Sequence, residues 1–196
     1  MTSHRLYLAS RSPRRAELLR LLGVDFALVD VEVDEREHAG EAPAAYVRRV
    51  AADKARAGAD QLPADAVVLA ADTTVCVDGA IIGKPLDEAD ARAMLRRLSG
   101  RWHEVYTAVV VGTRASLAVE VVRTRVEFRA LDDALIAAYW ASGEPADKAG
   151  AYGIQGLGGA LVRRIEGSYG AVVGLPLAET AEMLEKAGVG QALRPS

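Results

Sequence analysis

The run "AVVLAADTTVCV", residues 66–77, constrains this chain more than any other stretch. It is apolar and β-rich throughout, it carries one acid, Asp72, and the turn pair Asp78-Gly79 closes it. Such a strand needs partners at its edges and cover on its faces, and the rest of the chain offers both. "RLYLA" is a short strand leading into a helix. "DFALVDVEV" reads as extended, with Val29, Val31 and Val33 in period two. "APAAYVRRVAADKARAGA" (43–59), "DEADARAMLRRLSG" (87–100) and "DDALIAAYWASG" read as helices. "EVYTAVVVGT" and "AVEVVRTRVEF" read as two long strands of an antiparallel pair. A Gly-rich segment, 150–174, leads to a last helix beginning near Pro176. Hairpins and β–α connections together imply an α/β fold, a mixed twisted sheet with flanking helices.

The 196 residues suit one domain, 1–196, or two small lobes, and they can bury a substantial core. A net charge of −3 gives no global pull toward nucleic acid or an anionic membrane, so any anion site is local. The single Cys76 cannot form an internal disulfide and reads as a small core residue. "MTSHRLYLAS" has no long apolar leader and no stretch is long enough to span a bilayer, so the cytoplasm is the expected compartment. "GAIIGKP" is not a phosphate-binding P-loop, since three residues separate Gly79 and Gly83 and Pro85 stands where a hydroxyl should be. "GIQGLGGAL" places its third glycine too early for a dinucleotide fingerprint. No GxSxG elbow occurs, and three scattered histidines with one cysteine make no zinc site. The chemistry must use carboxylates, lysines and arginines.

"LASRSPRRAELLRLLG" (8–23) supplies the first anomaly. Ser12 and Pro13 suit a helix start and Gly23 a stop. Arg14 and Arg15 nevertheless occupy the first turn, where the helix already presents about half a positive charge. Free N–H groups, the dipole and two guanidinium groups make a receptor for phosphate charge. Both arginines pointing into water is the alternative, at a cost of a few tenths of a kcal/mol. Asp72 is the second anomaly. Burial would raise its pKa unless cations hold it ionised, and the β pattern runs on through "TTVCV", so it reads as a base or metal ligand rather than a turn former. Lys54 lies on the mainly apolar side of its helix, Lys84 in a Gly-Lys-Pro turn, Glu35 in the charged run 30–41 and Gln155 among glycines. Snorkelling or a solvated loop would account for each one taken alone.

Taken together, "LASRSPRRAELL", "YVRRVAADKA", "AADTTVCVDGAIIGKP", "LSGRWHEVYTAVVV" and "DKAGAYGIQGLGGALVRRIEGSYGAVVGLPLAET" resemble the successive blocks of the Maf family of septum-formation-associated nucleoside triphosphate pyrophosphatases. "ADT" followed by "AYGIQGLGG" is similar to the branch acting on dTTP and UTP. Arg11 between the serines and Gly170 in place of a polar residue are small departures. The resemblance implies two lobes around a nucleotide cleft, similar to inosine triphosphate pyrophosphatases. It implies that Ser10, Arg14 and Arg15 meet the triphosphate, that Asp72 accepts a proton, and that Glu35, Lys54 and Lys84 are the other charged active-site groups. Arg14, Thr73 and Gln155 match positions tied to substrate choice. Magnesium or manganese on Asp72 and Glu35, hydrolysis to the monophosphate and pyrophosphate, removal of unwanted nucleotides, a link to division arrest and a homodimer are further implications. A nucleotide-sensing regulator of septum formation that binds without hydrolysing is the competing reading.

Overall fold

The computed structural model describes residues 5–191; residues 1–4, part of the stretch read for an apolar leader, and 192–196 lie outside the described residues. The strands are β1 (Leu6–Leu8), β2 (Phe26–Leu28), β3 (Val67–Val77), β4 (Ala80–Ile82), β5 (Trp102–Thr113), β6 (Ser116–Phe128) and β7 (Val162–Glu166). The helices are α1 (Pro13–Leu21), α2 (Pro43–Ala59), α3 (Glu88–Leu98), α4 (Asp133–Ala141), α5 (Tyr169–Val173) and α6 (Leu177–Lys186). Short 3-10 turns cover Glu144–Asp147, Ala149–Ala151 and Leu157–Leu161. The strands form one mixed sheet in the order β2-β1-β3-β5-β6-β7, with β4 paired to β3. β1 runs parallel to β2 and β3, whereas β4 and β7 are antiparallel to their neighbours. Among the described residues no helix is long and apolar enough to cross a membrane.

Local chemistry sets the element boundaries. Asp78 and Gly79 both adopt positive φ, 53° and 77°, as a tight turn between β3 and β4 requires. Asp87 accepts the Asp90 N–H at 2.9 Å and caps α3, whose first turn holds Glu88 and Asp90 and whose last holds Arg96 and Arg97. Those charges complement the helix dipole at both ends. Asp132 caps α4 in the same way through the Leu135 N–H at 2.8 Å.

Two stretches depart from the sequence reading. β2 ends at Leu28, although the alternation of valines continues to Val33. Among the described residues its ladder is with the three residues of β1, which then leaves the sheet for α1, so the pairing stops after the Val29 N–H bond to the Leu8 carbonyl at 3.1 Å. Within the Gly-rich segment the chain forms β7 and α5, neither of which the sequence reading expected. β7 is a sheet edge with exposed Arg163 and Arg164, and its pairing with β6 is broken by a bulge at Glu127/Phe128, so it lacks an apolar period.

The chain divides into two compact units. Unit 1 takes the residues up to Asp72, Thr107–Val122 and those from Gly174 onward; unit 2 takes Thr73–Tyr106 and Arg123–Val173. Unit 1 buries Leu6, Leu8, Leu19, Val47, Val50 and the β3 residues Val67–Ala71. Unit 2 is built on Leu95, Leu98, Val126, Phe128, Ile136 and Tyr152. In its core His103, Phe128 and Tyr152 meet edge to face, with centroids 4.7–5.4 Å apart.

His103 Nε2 lies 2.9 Å from Tyr152 Oη, and its Nδ1 is buried without a partner among the described residues. Burial therefore pushes its pKa down from 6.5 to about 4. Between those values the unfolded chain binds more protons than the folded one, so stability falls as pH drops through this window. From pH 7 to pH 5 this group alone should remove about 2 kcal/mol of folding free energy. Urea titrations at the two pH values check it: His103→Leu should be less stable at pH 7 but show a pH dependence smaller by about that amount. An unchanged pH dependence would mean that His103 is not held neutral.

Candidate active site

Unit 1 assembles two clusters. The first is the start of α1. Ser12 accepts the Arg15 N–H at 3.4 Å and caps the helix, and Ser10 Oγ accepts the Ser12 N–H at 3.2 Å. No acid occupies the first turn. The half-buried Arg15 side chain donates Nε–H to the Gly174 carbonyl at 2.9 Å and Nη1–H to Ser10 Oγ at 3.4 Å. Arg15 therefore ties α1 to the segment before α6, a contact that the sequence reading of anion binding did not include. Burial lowers its pKa, the charges of Asp72 and Glu35 counter that, and Arg14 adds to the lowering. Arg14 is half-buried in the same turn.

The second cluster is Glu35, Lys54 and Asp72. Lys54 Nζ lies 2.8 Å from Asp72 Oδ1 and 2.7 Å from Glu35 Oε1, so one ammonium serves two carboxylates. The Asp72 and Lys54 side chains are only 8% and 12% exposed, while Glu35 is 52% exposed; the pair is buried and the third member faces water. Burial raises the Asp72 pKa above the usual carboxylate range, Lys54 and Arg15 pull it back, and Glu35 adds to the rise. The result is a carboxylate more basic than an ordinary one and held by a fixed cation.

α2 organises this cluster from one face. Tyr46, Val50 and Lys54 recur every four residues, so they lie above one another on the helix. Tyr46 Oη donates to the Glu35 backbone carbonyl at 2.9 Å while Lys54 holds the Glu35 carboxylate. One turn away, Arg49 makes two bonds to Glu41, 2.8 and 2.7 Å, and donates to the Arg36 carbonyl at 2.9 Å. These contacts fix an irregular loop that has no ladder of its own. Burial and the charges of Asp72 and Glu35 push the Tyr46 hydroxyl up to about 12, so it remains a donor at neutral pH. Sequence reasoning missed Tyr46 and Arg49 as supports; the four-residue spacing through Val50 to Lys54 offered a signal for Tyr46 alone.

Unit 2 carries Thr73, Lys84 and Gln155. Thr73 follows Asp72 in β3, and its side chain points to the opposite face. Lys84 is exposed just after β4, in a loop anchored by the Gly150 N–H on the Gly83 carbonyl at 2.9 Å. Gln155 is exposed in a turn closed by the Gly156 N–H on the Gly153 carbonyl at 3.3 Å. Of the residues singled out in the sequence, Ser10 meets Arg15, and Glu35, Lys54 and Asp72 meet one another. Thr73, Lys84 and Gln155 are placed by separate elements of their own unit.

The donor set for a metal is narrow. Among the described residues no group of three or more His, Cys, Asp or Glu side chains could hold one. Asp72 and Glu35, which converge on one ammonium, are a pair of hard carboxylates. That pair fits an ion that keeps water and substrate oxygens in the rest of its shell, as magnesium does.

A family model described as "Maf-like protein" matches residues 5–187. A dTTP/UTP pyrophosphatase from Methylobacillus flagellatus is 56% identical over 186 residues, covering 94% of each chain. The dTTP/UTP pyrophosphatase of Vibrio cholerae serotype O1 is 54% identical and is covered over its full length by 95% of this chain. Among solved structures, the Staphylococcus aureus Ham1 protein aligns with 63% of this chain and 71% of its own at a TM-score of 0.47 and 16% identity.

Removing the shared ammonium should expose how much the cluster depends on it. Lys54→Met leaves Asp72 buried and unpaired, which should cost about 3 kcal/mol at pH 7. Its Asp72 pKa then rises further above the unfolded value of 3.8. The folded state binds the extra proton in that window, so the variant should regain stability relative to wild type as pH falls toward 4. Adding Asp72→Asn should restore most of the loss at pH 7. Denaturant titrations of the three proteins measure this; a Lys54→Met penalty that is the same at pH 7 and pH 4 would refute it.

Proposed function

The chain belongs to the Maf-like family, and from that premise we propose that it hydrolyses dTTP and UTP to the nucleoside monophosphate and pyrophosphate. The observation that carries the reading is the buried Asp72 carboxylate, raised in pKa and held by Lys54, in the same unit as a helix N-terminus flanked by Arg14 and Arg15. Hydrolysis between the α- and β-phosphates needs a water placed in line, a group to take its proton, and positive charge on the departing pyrophosphate.

Asp72 takes the proton. Its raised pKa improves it as a base, and the Lys54 ammonium keeps it ionised until the proton arrives. The water oxygen bonds to phosphorus as the bridging P–O bond breaks and the pyrophosphate leaves with that bridging oxygen. Ser10, Arg14 and Arg15, aided by the positive end of the α1 dipole, bind the phosphate oxygens, and Lys84 adds charge for the leaving group. Such fixed electrostatics is often the largest catalytic contribution. A magnesium or manganese ion on Asp72 and Glu35 would neutralise phosphate charge and polarise a phosphoryl oxygen. Gln155, with Thr73 and Arg14, chooses the base. Uracil and thymine present an acceptor–donor–acceptor edge, which an amide and neighbouring backbone match, and a mismatched base would leave polar groups unpaired. We place the protein in the cytoplasm, where it would clear unwanted nucleotides.

Pyrophosphate release with each nucleoside triphosphate tests the reading. The wild-type protein should prefer dTTP and UTP over dATP, GTP and CTP. Asp72→Asn should lose more than ~10³-fold in kcat while retaining its fold, since base and proposed metal ligand go together. Gln155→Ala should erode the preference more than the rate. Tight nucleotide binding without any pyrophosphate release would favour the non-catalytic regulator; activity of Asp72→Asn within a few-fold of wild type would remove it from the mechanism.

A further inference from the structure

The turn that carries Gln155 is pinned by a carboxylate that the mechanism does not use, directly after Gln155 and through a tyrosine before it. Glu144 lies in the short 3-10 turn after α4. Its Oε1 accepts the Gly158 N–H at 2.9 Å and the Tyr139 hydroxyl at 2.7 Å, and its Oε2 accepts the Leu157 N–H at 2.8 Å. Tyr139 Oη in turn accepts the Gly153 N–H at 3.0 Å. Backbone donors at 153, 157 and 158 thus converge on a two-residue hub, and Gln155 sits between them. All of these residues belong to unit 2.

The hub is itself anchored. Tyr139 is only 4% exposed and comes from α4, and Ser142 Oγ accepts the Glu144 N–H at 3.2 Å. Lys148 Nζ donates to the Glu144 carbonyl at 2.7 Å. Burial tends to raise the Glu144 pKa, but the Gly158, Tyr139 and Leu157 donors outweigh it and hold the carboxyl below its usual range. The glycines of the loop fit round the hub. A Cβ at Gly156 would collide with the Glu144 carboxylate, and one at Gly158 would come within 2.5 Å of Tyr139 Oη. The tight spacing of glycines in "GIQGLGG" is therefore room for the clamp as well as a turn requirement.

We propose that Glu144, acting through Tyr139 and the backbone N–H groups of Gly153, Leu157 and Gly158, positions Gln155 and thereby sets which nucleobase the protein accepts. Glu144 and Tyr139 are positioning residues and need not touch the substrate. The proposal rests on the reading that Gln155 meets the base. A carboxylate is required because all its partners here donate; an amide would set its own NH₂ donors against a backbone N–H and release one side of the turn.

The test measures kcat and KM for dTTP, UTP and CTP in wild type, Glu144→Gln, Tyr139→Phe, Gln155→Ala and the Glu144→Gln/Gln155→Ala double variant, with melting curves for each. Glu144→Gln should lower the dTTP-to-CTP ratio of kcat/KM by about tenfold, through a higher KM for dTTP and with kcat within about threefold. Tyr139→Phe, which keeps the buried ring, should shift the ratio the same way by less. In the Gln155→Ala background Glu144→Gln should cause no further loss of selectivity, because the two act through one contact. A folded Tyr139→Phe or Glu144→Gln with the wild-type ratio overturns the proposal, as does a full additional loss in the double variant. A wild-type protein indifferent to the base overturns the assignment of Gln155 and this proposal with it, whereas wild-type selectivity that survives in the variants overturns the positioning role alone.

Discussion

Lys54 Nζ lies within 2.8 Å of both Asp72 and Glu35, and most of what unit 1 can do rests on that shared ammonium. A carboxylate buried alone in an apolar strand would cost several kcal/mol and would take up a proton instead. With the ammonium beside it, the carboxylate can stay charged in a dry place, which is the condition a general base needs. Glu35 extends the same charge outward to water, and it does so from a loop that Tyr46 and Arg49 pin to α2. The buried and the exposed carboxylate are thus fixed by residues of a single helix, which limits how far they can drift apart.

That cluster also explains how α1 tolerates two arginines at its positive end. An adverse charge there costs tenths of a kcal/mol, and two adjacent ones more. Asp72 and Glu35 act on Arg15 in the opposite sense, favouring its charged form, and Ser10 and the Gly174 carbonyl take up its donors. Positive and negative groups in unit 1 are each made acceptable by the other. The sequence showed the two sets as separate anomalies; the fold presents them as one balanced arrangement. It also gives Arg15 a structural tie that spacing along the chain cannot reveal, since its partner lies 159 residues away.

Much of the fold was readable because it is written in local rules. The start of α2 at Pro43, the caps Asp87 and Asp132, and the Asp78-Gly79 turn all follow from residues acting on their own backbone. β2 and β7 were misread because strand formation depends on a neighbour. The valines after Leu28 have the right alternation, but β1 ends at Leu8 and only the Val29 N–H still reaches it among the described residues, whereas Val162–Glu166 has poor alternation and an edge waiting in β6. Asp72 was legible as a charge out of place, and Lys54 as a lysine on an apolar face. That they are partners of Glu35 needed the fold, because periodicity reports which face a residue occupies and not what lies opposite.

The Gly-rich loop carries the same lesson further. Five glycines between 150 and 159 read, from composition, as freedom of the backbone. Yet two of them are crowded by Glu144 and Tyr139, and the N–H groups of three loop residues are committed to those side chains. Absence of a side chain here serves close approach, and close approach permits short bonds that hold the turn still. A loop fixed in this way can present an exposed amide such as Gln155 at a defined angle, which a freely moving one could not do without paying ordering entropy on each binding event. Rigidity built from glycine is consistent with discrimination among bases that differ by only a few hydrogen-bonding atoms, because the penalty for an unpaired donor is collected only if the donor cannot turn away.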